Sequence, residues 1–157
     1  MSAVQTNDIY SLLIPLHEQR LLLPRANVSE VTGYRTCEPV EGSPRWLLGC
    51  FRFEGQVVPL ISFERAIGAP PPPEGGRARI VLVRTLTDQL TSPSIGILTY
   101  GFPQLVRLNP AALTLDASAD WPGDVPVLCQ LRMLNQKPLV PDIEQLEIML
   151  AAALRDD

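Results

Sequence analysis

Proline lacks the backbone N–H that a β-ladder needs and breaks a helix interior, and this chain of 157 residues carries sixteen prolines. They confine strands to short lengths. Between them lie short apolar runs bounded by Gly, Pro and polar clusters, the punctuation of a chain built from many small strands. Ser11–Leu16 and Gln19–Leu23 flank His17-Glu18 and read as a hairpin. Further strands are expected at Leu47–Phe53, Gln56–Ile61, Ala78–Thr85, Ser94–Tyr100, Gln104–Leu108 and Val127–Leu134, with a last short one at Leu139–Pro141. Cys129, Leu131 and Met133 alternate with Gln130, Arg132 and Leu134, the period-two pattern of a half-buried strand. The fold class is all-β, a barrel or a sandwich.

Two helices are well marked. Ser62 caps a short one over Phe63–Ile67, closed by Gly68 and Pro70. Asp142 caps a longer one, with Gln145 as a capping-box partner and Glu144 suited to the positive helix end. Ile143, Leu146, Met149, Leu150, Ala153 and Leu154 form its buried stripe, and Ile148 falls off it towards solvent. Pro70–Pro73 followed by Glu74-Gly75-Gly76 is stiff and then flexible, and links two strand-rich halves. Asp116–Pro126 reads as a long loop.

Composition narrows function by exclusion. With 46% hydrophobic and 19% charged residues the chain is globular. A net charge of −4, one lysine (Lys137) and scattered arginines argue against nucleic acid, whose phosphates demand clustered cations. No apolar run is long enough to span a membrane, and the start of the chain lacks a signal-peptide pattern. Cys37, Cys50 and Cys129 lie far apart without a C-x-x-C, as reduced thiols of a cytoplasmic protein would. A catalytic inventory is missing. His17 is the sole histidine, at a hairpin tip, and no nucleophile elbow, phosphate loop, dinucleotide fingerprint or metal-ligand cluster occurs. A small hydrolase or ligand-binding barrel would have to use His17 with a loop carboxylate. The chain reads as non-enzymatic, with no cofactor and no metal.

The stretch Gly49-Cys50-Phe51-Arg52-Phe53-Glu54-Gly55-Gln56-Val57-Val58-Pro59-Leu60-Ile61-Ser62-Phe63 is a hairpin running into a short helix. Gly55 supplies the positive φ of its turn, Pro59 predicts an edge or a bulge, and Gly49 is small where another backbone approaches. It resembles the signature of the CheW domain family: a Gly, an apolar pair, Asn, an apolar residue, Arg-Gly, then apolar residues through a Pro to a short helix. Val28-Ser29-Glu30-Val31 is similar to the family's V-x-E-V element, and Arg79–Thr85 and Ile95-Gly96-Ile97-Leu98 to its later strands. The resemblance covers residues 10–154. Three departures stand out: Arg52 where the family has Asn, Glu54-Gly55 where it has Arg-Gly, and Thr99-Tyr100 where it has Val-Asp.

The resemblance implies a single domain over 10–154, after a polar tail at 1–9. Its expected form is two small five-stranded SH3-like β-barrel lobes sharing a core, with short helices and a C-terminal helix. The two lobes need not follow the two halves of the chain. It implies an adaptor between methyl-accepting chemoreceptors and a chemotaxis-type histidine kinase, for chemotaxis or type IV pilus motility. The receptor's hairpin tip would lie between the lobes, and the kinase regulatory domain would pair end to end. Partner-binding residues are then Val28, Glu30, Val31, Gly49, Arg52, Glu54 and Gly55, with the valines and Phe51 and Phe53 also suited to packing. The charge reversal at Glu54 admits an accessory or decoy adaptor that binds the kinase domain without receptors.

Overall fold

A computed structural model of the chain describes residues 8–70, 78–117, 120–133 and 136–154. Most of the expected polar tail, Pro71 to Gly76 of the linker, and Leu134 lie outside the described residues. The described residues hold eleven strands: β1 (Ile9–Pro15), β2 (Arg20–Pro24), β3 (Val28–Gly33), β4 (Leu47–Phe53), β5 (Gln56–Ile61), β6 (Ala78–Arg84), β7 (Ser94–Tyr100), β8 (Gln104–Leu108), β9 (Thr114–Leu115), β10 (Val127–Arg132) and β11 (Leu139–Pro141). Two α-helices, α1 (Phe63–Ala66) and α2 (Ile143–Leu154), complete the set with short 3-10 turns at Arg25–Asn27 and Pro110–Ala112.

The strands form two sheets. One has the order β3-β6-β7-β5-β4; the other is β8-β1-β2-β11-β10-β9. The first has the expected five strands, and the second gains a sixth, the two-residue β9 paired to β10 through Leu131↔Leu115 and Arg132↔Thr114. The chain starts in the six-stranded sheet, crosses at Arg25–Asn27, builds the whole five-stranded sheet, and returns with β8. The proline-rich link therefore joins β5 to β6 inside one sheet, not one half of the molecule to the other. Each sheet closes on one parallel pair, β5 with β7 (Leu60↔Gly96) and β11 with β2 (Leu139↔Leu21).

The largest core cluster draws on both sheets and both helices. Ile14, Leu21 and Leu139 meet Ile61, Val81, Val83, Ile95 and Ile97, sealed by Phe63, Leu146 and Leu150. A second cluster of Phe51, Val58, Leu60, Ile80 and Leu82 fills the five-stranded sheet; a third, of Leu13, Leu22 and Leu108, lines the other. Phe51 is buried, as alternation predicts, while Phe53 packs partly buried against the same cluster. At about 25 cal/mol per Å² of apolar surface, such packing is the main term favouring the fold.

Two carboxylates are drawn into this core. On α1, Glu64 is 2% exposed and its Oε2 accepts the His17 backbone N–H at 2.8 Å, tying the five-stranded sheet's helix to the β1–β2 hairpin of the other sheet. On α2, Glu147 is fully buried. Its Oε2 accepts the Leu86 N–H at 2.6 Å and its Oε1 the Thr87 N–H at 3.1 Å, and the Thr87 hydroxyl donates to Oε1 as well. Each helix thus reaches from one sheet into a loop of the other. Burial pushes the Glu64 carboxyl above its ordinary range; the N–H bonds from His17 and from its own backbone oppose this without cancelling it.

Local chemistry explains the element ends. The Arg65 N–H donates to Ser62 Oγ at 3.2 Å and the Gln145 N–H to Asp142 Oδ1 at 3.1 Å, so both expected caps form. The reciprocal half of the capping box does not. Asp142 N–H donates instead to the Pro126 carbonyl at 3.0 Å, and Gln145 Nε2 to the Asp124 carbonyl at 3.4 Å, which anchors the preceding loop. Pro59, expected at an edge or a bulge, lies in β5, an interior strand. Its cross-strand partner Cys50 turns both backbone groups outward to Glu38 (N–H to O at 2.9 Å, O from N–H at 2.8 Å), so β4 asks no N–H of Pro59. Pairing with β7 begins only at Leu60.

Candidate partner-binding surface

The β4–β5 hairpin is closed by a two-residue turn, with Phe53 opposite Gln56. Both central residues have positive φ, Glu54 at 51° and Gly55 at 82°, as a turn matched to strand twist requires. The second is free for glycine. The first places a side-chain-bearing residue in the left-handed region, at a cost of about 1 kcal/mol. Sequence reasoning assigned the positive φ to Gly55 alone; the turn imposes it on Glu54 too, and holds that carboxylate out in solvent.

Arg52 is exposed opposite Val57, which is also exposed. Arg35, which sequence reasoning passed over, donates from Nη1 to the Arg52 carbonyl at 3.1 Å and lays its guanidinium 5.1 Å from the Phe53 ring centroid. Two arginines, an apolar Val57 and the Glu54 tip therefore share one rim of the five-stranded sheet. Gly49, expected in the partner-binding set and also at a close approach of another backbone, lies beneath that surface at such an approach. It is buried with φ at 147°, and a Cβ there would stand 2.4 Å from the Glu38 carbonyl oxygen and 2.9 Å from Cys37 Sγ. Its part is to let the Cys37–Glu38 segment lie against β4, where Cys37 Sγ also donates to the Leu48 carbonyl at 3.3 Å.

Val28, Glu30 and Val31 lie on β3, at the opposite end of the strand order from β4, so the structure does not gather the expected residues into one patch. Val28 and Val31 are partly buried against the large core cluster. Glu30 is exposed, beyond a register shift between Val28 and Glu30, and among the described residues its carboxylate has neither a hydrogen bond nor an ion pair.

Val28 also borders a groove of about 530 Å³ with Tyr10, Arg25, Ala26 and Arg84. Its walls come from β1 of one sheet, the end of β6 of the other, and the crossing turn between them. Arg84 Nε donates to the Ala26 carbonyl at 3.1 Å.

His17 occupies the expected hairpin tip. Its imidazole is 3.8 Å from Glu18 Oε2 and edge-on to Tyr100, at 5.8 Å between centroids; among the described residues no serine, threonine or cysteine hydrogen-bonds it. Nor do the described residues hold a group of three or more His, Cys, Asp or Glu side chains able to bind a metal ion. The three free cysteines are partly buried, and burial is the main cause raising each thiol above its ordinary pKa, which disfavours the reactive thiolate. No helix among the described residues is long and apolar enough to cross a membrane.

Fold and surface together define a class, an all-β scaffold of two sheets with a shared core whose polar features sit on strand rims, a crossing turn and a hairpin tip. Comparison with known proteins narrows it. The CheW-like domain matches residues 11–145, and the chain belongs to that family. Among solved structures it resembles the scaffolding protein TtCheW from Thermoanaerobacter tengcongensis, with a TM-score of 0.71 over 85% of this chain and 88% of that one. At 13% identity that likeness shows the fold alone. No curated protein matches the sequence. CheW-like proteins are, as a family, non-enzymatic scaffolds.

Proposed function

We propose that this protein is a cytoplasmic adaptor that couples chemoreceptors to a chemotaxis-type histidine kinase, in chemotaxis or type IV pilus motility. The observation that carries the reading is the family match across 11–145, in a chain whose family-signature positions Glu30, Arg52 and Glu54 stand exposed on one sheet. In this reading the receptor's hairpin tip enters the groove between the sheets, beside Val28 and Val31. The kinase regulatory domain, itself CheW-like, pairs with the β4–β5 rim through Arg52, Glu54-Gly55 and Val57. Rim charges select the partner and set encounter rate, and the apolar contacts hold it.

The test is co-purification with the chemosensory kinase and with a receptor signalling-tip fragment. Binding of both is expected, with Arg52→Glu weakening kinase capture; failure to bind either, where a standard family member binds both, would reject the reading. The Glu54 tip favours a second reading, a decoy that occupies the kinase domain without receptors. Receptor binding by the natural protein rejects the decoy. Receptor binding gained only in Glu54→Arg supports it, and because arginine meets the same φ at the turn, that exchange alters the side chain without changing the backbone demand.

A further inference from the structure

The groove at the crossing turn carries charge without an answering charge. Arg25 is exposed at the start of the 3-10 turn, and Arg84 is exposed at the end of β6. Among the described residues neither guanidinium has a carboxylate partner; the ion pairs found involve His17, Arg107, Arg132 and Lys137. Arg84 is nonetheless fixed, because its Nε bond to Ala26 holds the guanidinium plane and leaves the two terminal nitrogens as a donor fork. The carboxylate nearest in the chain to Tyr10, Asp8, is committed to Arg107 at 3.1 Å. Glu30, on the same strand as Val28, lies beyond the register shift and does not line the groove. The remaining walls are Tyr10, half exposed, and the apolar Ala26 and Val28. In a protein of net charge −4, two unpaired arginines facing one groove stand out against the background.

We propose that this groove is a carboxylate-selective docking site for an amphipathic helix of a protein partner, and that the Arg25–Arg84 pair determines its specificity. An acidic side chain on the helix would take the donor fork of Arg84 and the charge of Arg25. Its apolar neighbours would pack on Val28, Ala26 and the Tyr10 ring. The mixed wall favours a folded helix face over a flat anionic lipid surface, and the overall negative charge disfavours nucleic acid. The inference deepens the receptor-groove part of the reading above and rests on it only for the identity of the partner.

The probe is a synthetic amphipathic helical peptide of about four turns, with leucines on one face and glutamates bordering it, titrated into the full chain and followed by amide NMR shifts. Shifts centred on Tyr10, Ala26 and Val28 are expected. Binding should weaken about tenfold or more when the glutamates become glutamine, or in Arg25→Glu, and should fall with added salt. Arg25→Glu should instead prefer a lysine-bordered peptide. Arg25 makes no hydrogen bond to the fold through its side chain among the described residues, so its reversal is expected to leave the thermal midpoint unchanged. Equal affinity for the glutamate and glutamine peptides, shifts located elsewhere, or a stronger response to phosphatidylglycerol vesicles would overturn the proposal. A receptor-tip fragment that fails to bind while the peptide binds would remove the adaptor reading and leave this one standing.

Discussion

Glu64 and Glu147 occupy equivalent places in the two halves of the architecture, yet they are built differently. Glu64 sits on a four-residue helix and, beyond its own helix, offers one oxygen to one N–H, that of His17, at an exposed turn. Glu147 sits on a twelve-residue helix, is fully buried, and engages two backbone N–H groups and a hydroxyl with both oxygens. A buried carboxylate is worth keeping in proportion to the donors it satisfies, since each donor left dry costs about 1–3 kcal/mol. The α2 contact should therefore be a principal fastening of the β6–β7 connection, and the α1 contact a lighter one that positions the hairpin tip.

That contrast can be broken by four substitutions. Glu147→Ala strands three donors and should cost about 3 kcal/mol or more, read as a lower urea midpoint at constant m-value. A loss below about 1 kcal/mol would dissolve the contrast. Glu147→Gln keeps the shape but turns an amide NH₂ towards a donor, so a loss of about 1–2 kcal/mol is expected. Glu64→Ala frees the His17 N–H, beside water, and otherwise only the N–H of its own residue in the first helical turn, and should cost about 1 kcal/mol; equality with Glu147→Ala would refute the ranking.

Glu64→Gln sharpens the comparison most finely, because its carbonyl can still accept from His17. Its effect at neutral pH should be within about 0.5 kcal/mol, and it should change the pH profile. The Glu64 carboxyl titrates higher folded than unfolded, so in that window the native state holds the extra proton. Stability from this group therefore falls as pH rises from the ordinary glutamate value to the raised one, then levels off. The glutamine variant should lack that falling segment, and an unchanged profile in chemical denaturation would exclude Glu64 as its source.

Much of the fold was legible locally. Alternation and turn residues placed β4, β5, β7, β8 and β11 at their observed bounds, because hairpin registers depend on neighbours in sequence. The β3 strand was not legible as a strand, since Val28-Ser29-Glu30-Val31-Thr32-Gly33 buries no residue fully and its alternation is broken by the register shift; only the family resemblance drew attention to it. Glu147 was readable and missed. It stands four residues after Ile143 and three before Leu150, on the buried stripe itself, so a charge there implied a partner. The candidate surface was the least legible part. That Val28 and Glu30 end up at the edge opposite Arg52 follows from the strand order, and the groove unites Tyr10, Arg25 and Arg84 only through the crossing turn. Neither is a local property of the chain.

The return of β8 to β11 to the sheet begun by β1 and β2 bears on how the chain is made. During synthesis the five-stranded sheet has all its strands once Tyr100 has left the ribosome, whereas β2 waits for Leu139 to arrive beside Leu21. At about 5–20 residues per second, the first hairpin spends of order 10 s with its apolar face and both edges unclaimed. A nascent chain halted between Tyr100 and Leu139 should therefore leave Ile14, Leu21 and Leu23 open to chaperones, and arrival of β11 and α2, whose Leu139, Leu146 and Leu150 share their core cluster, should bury them.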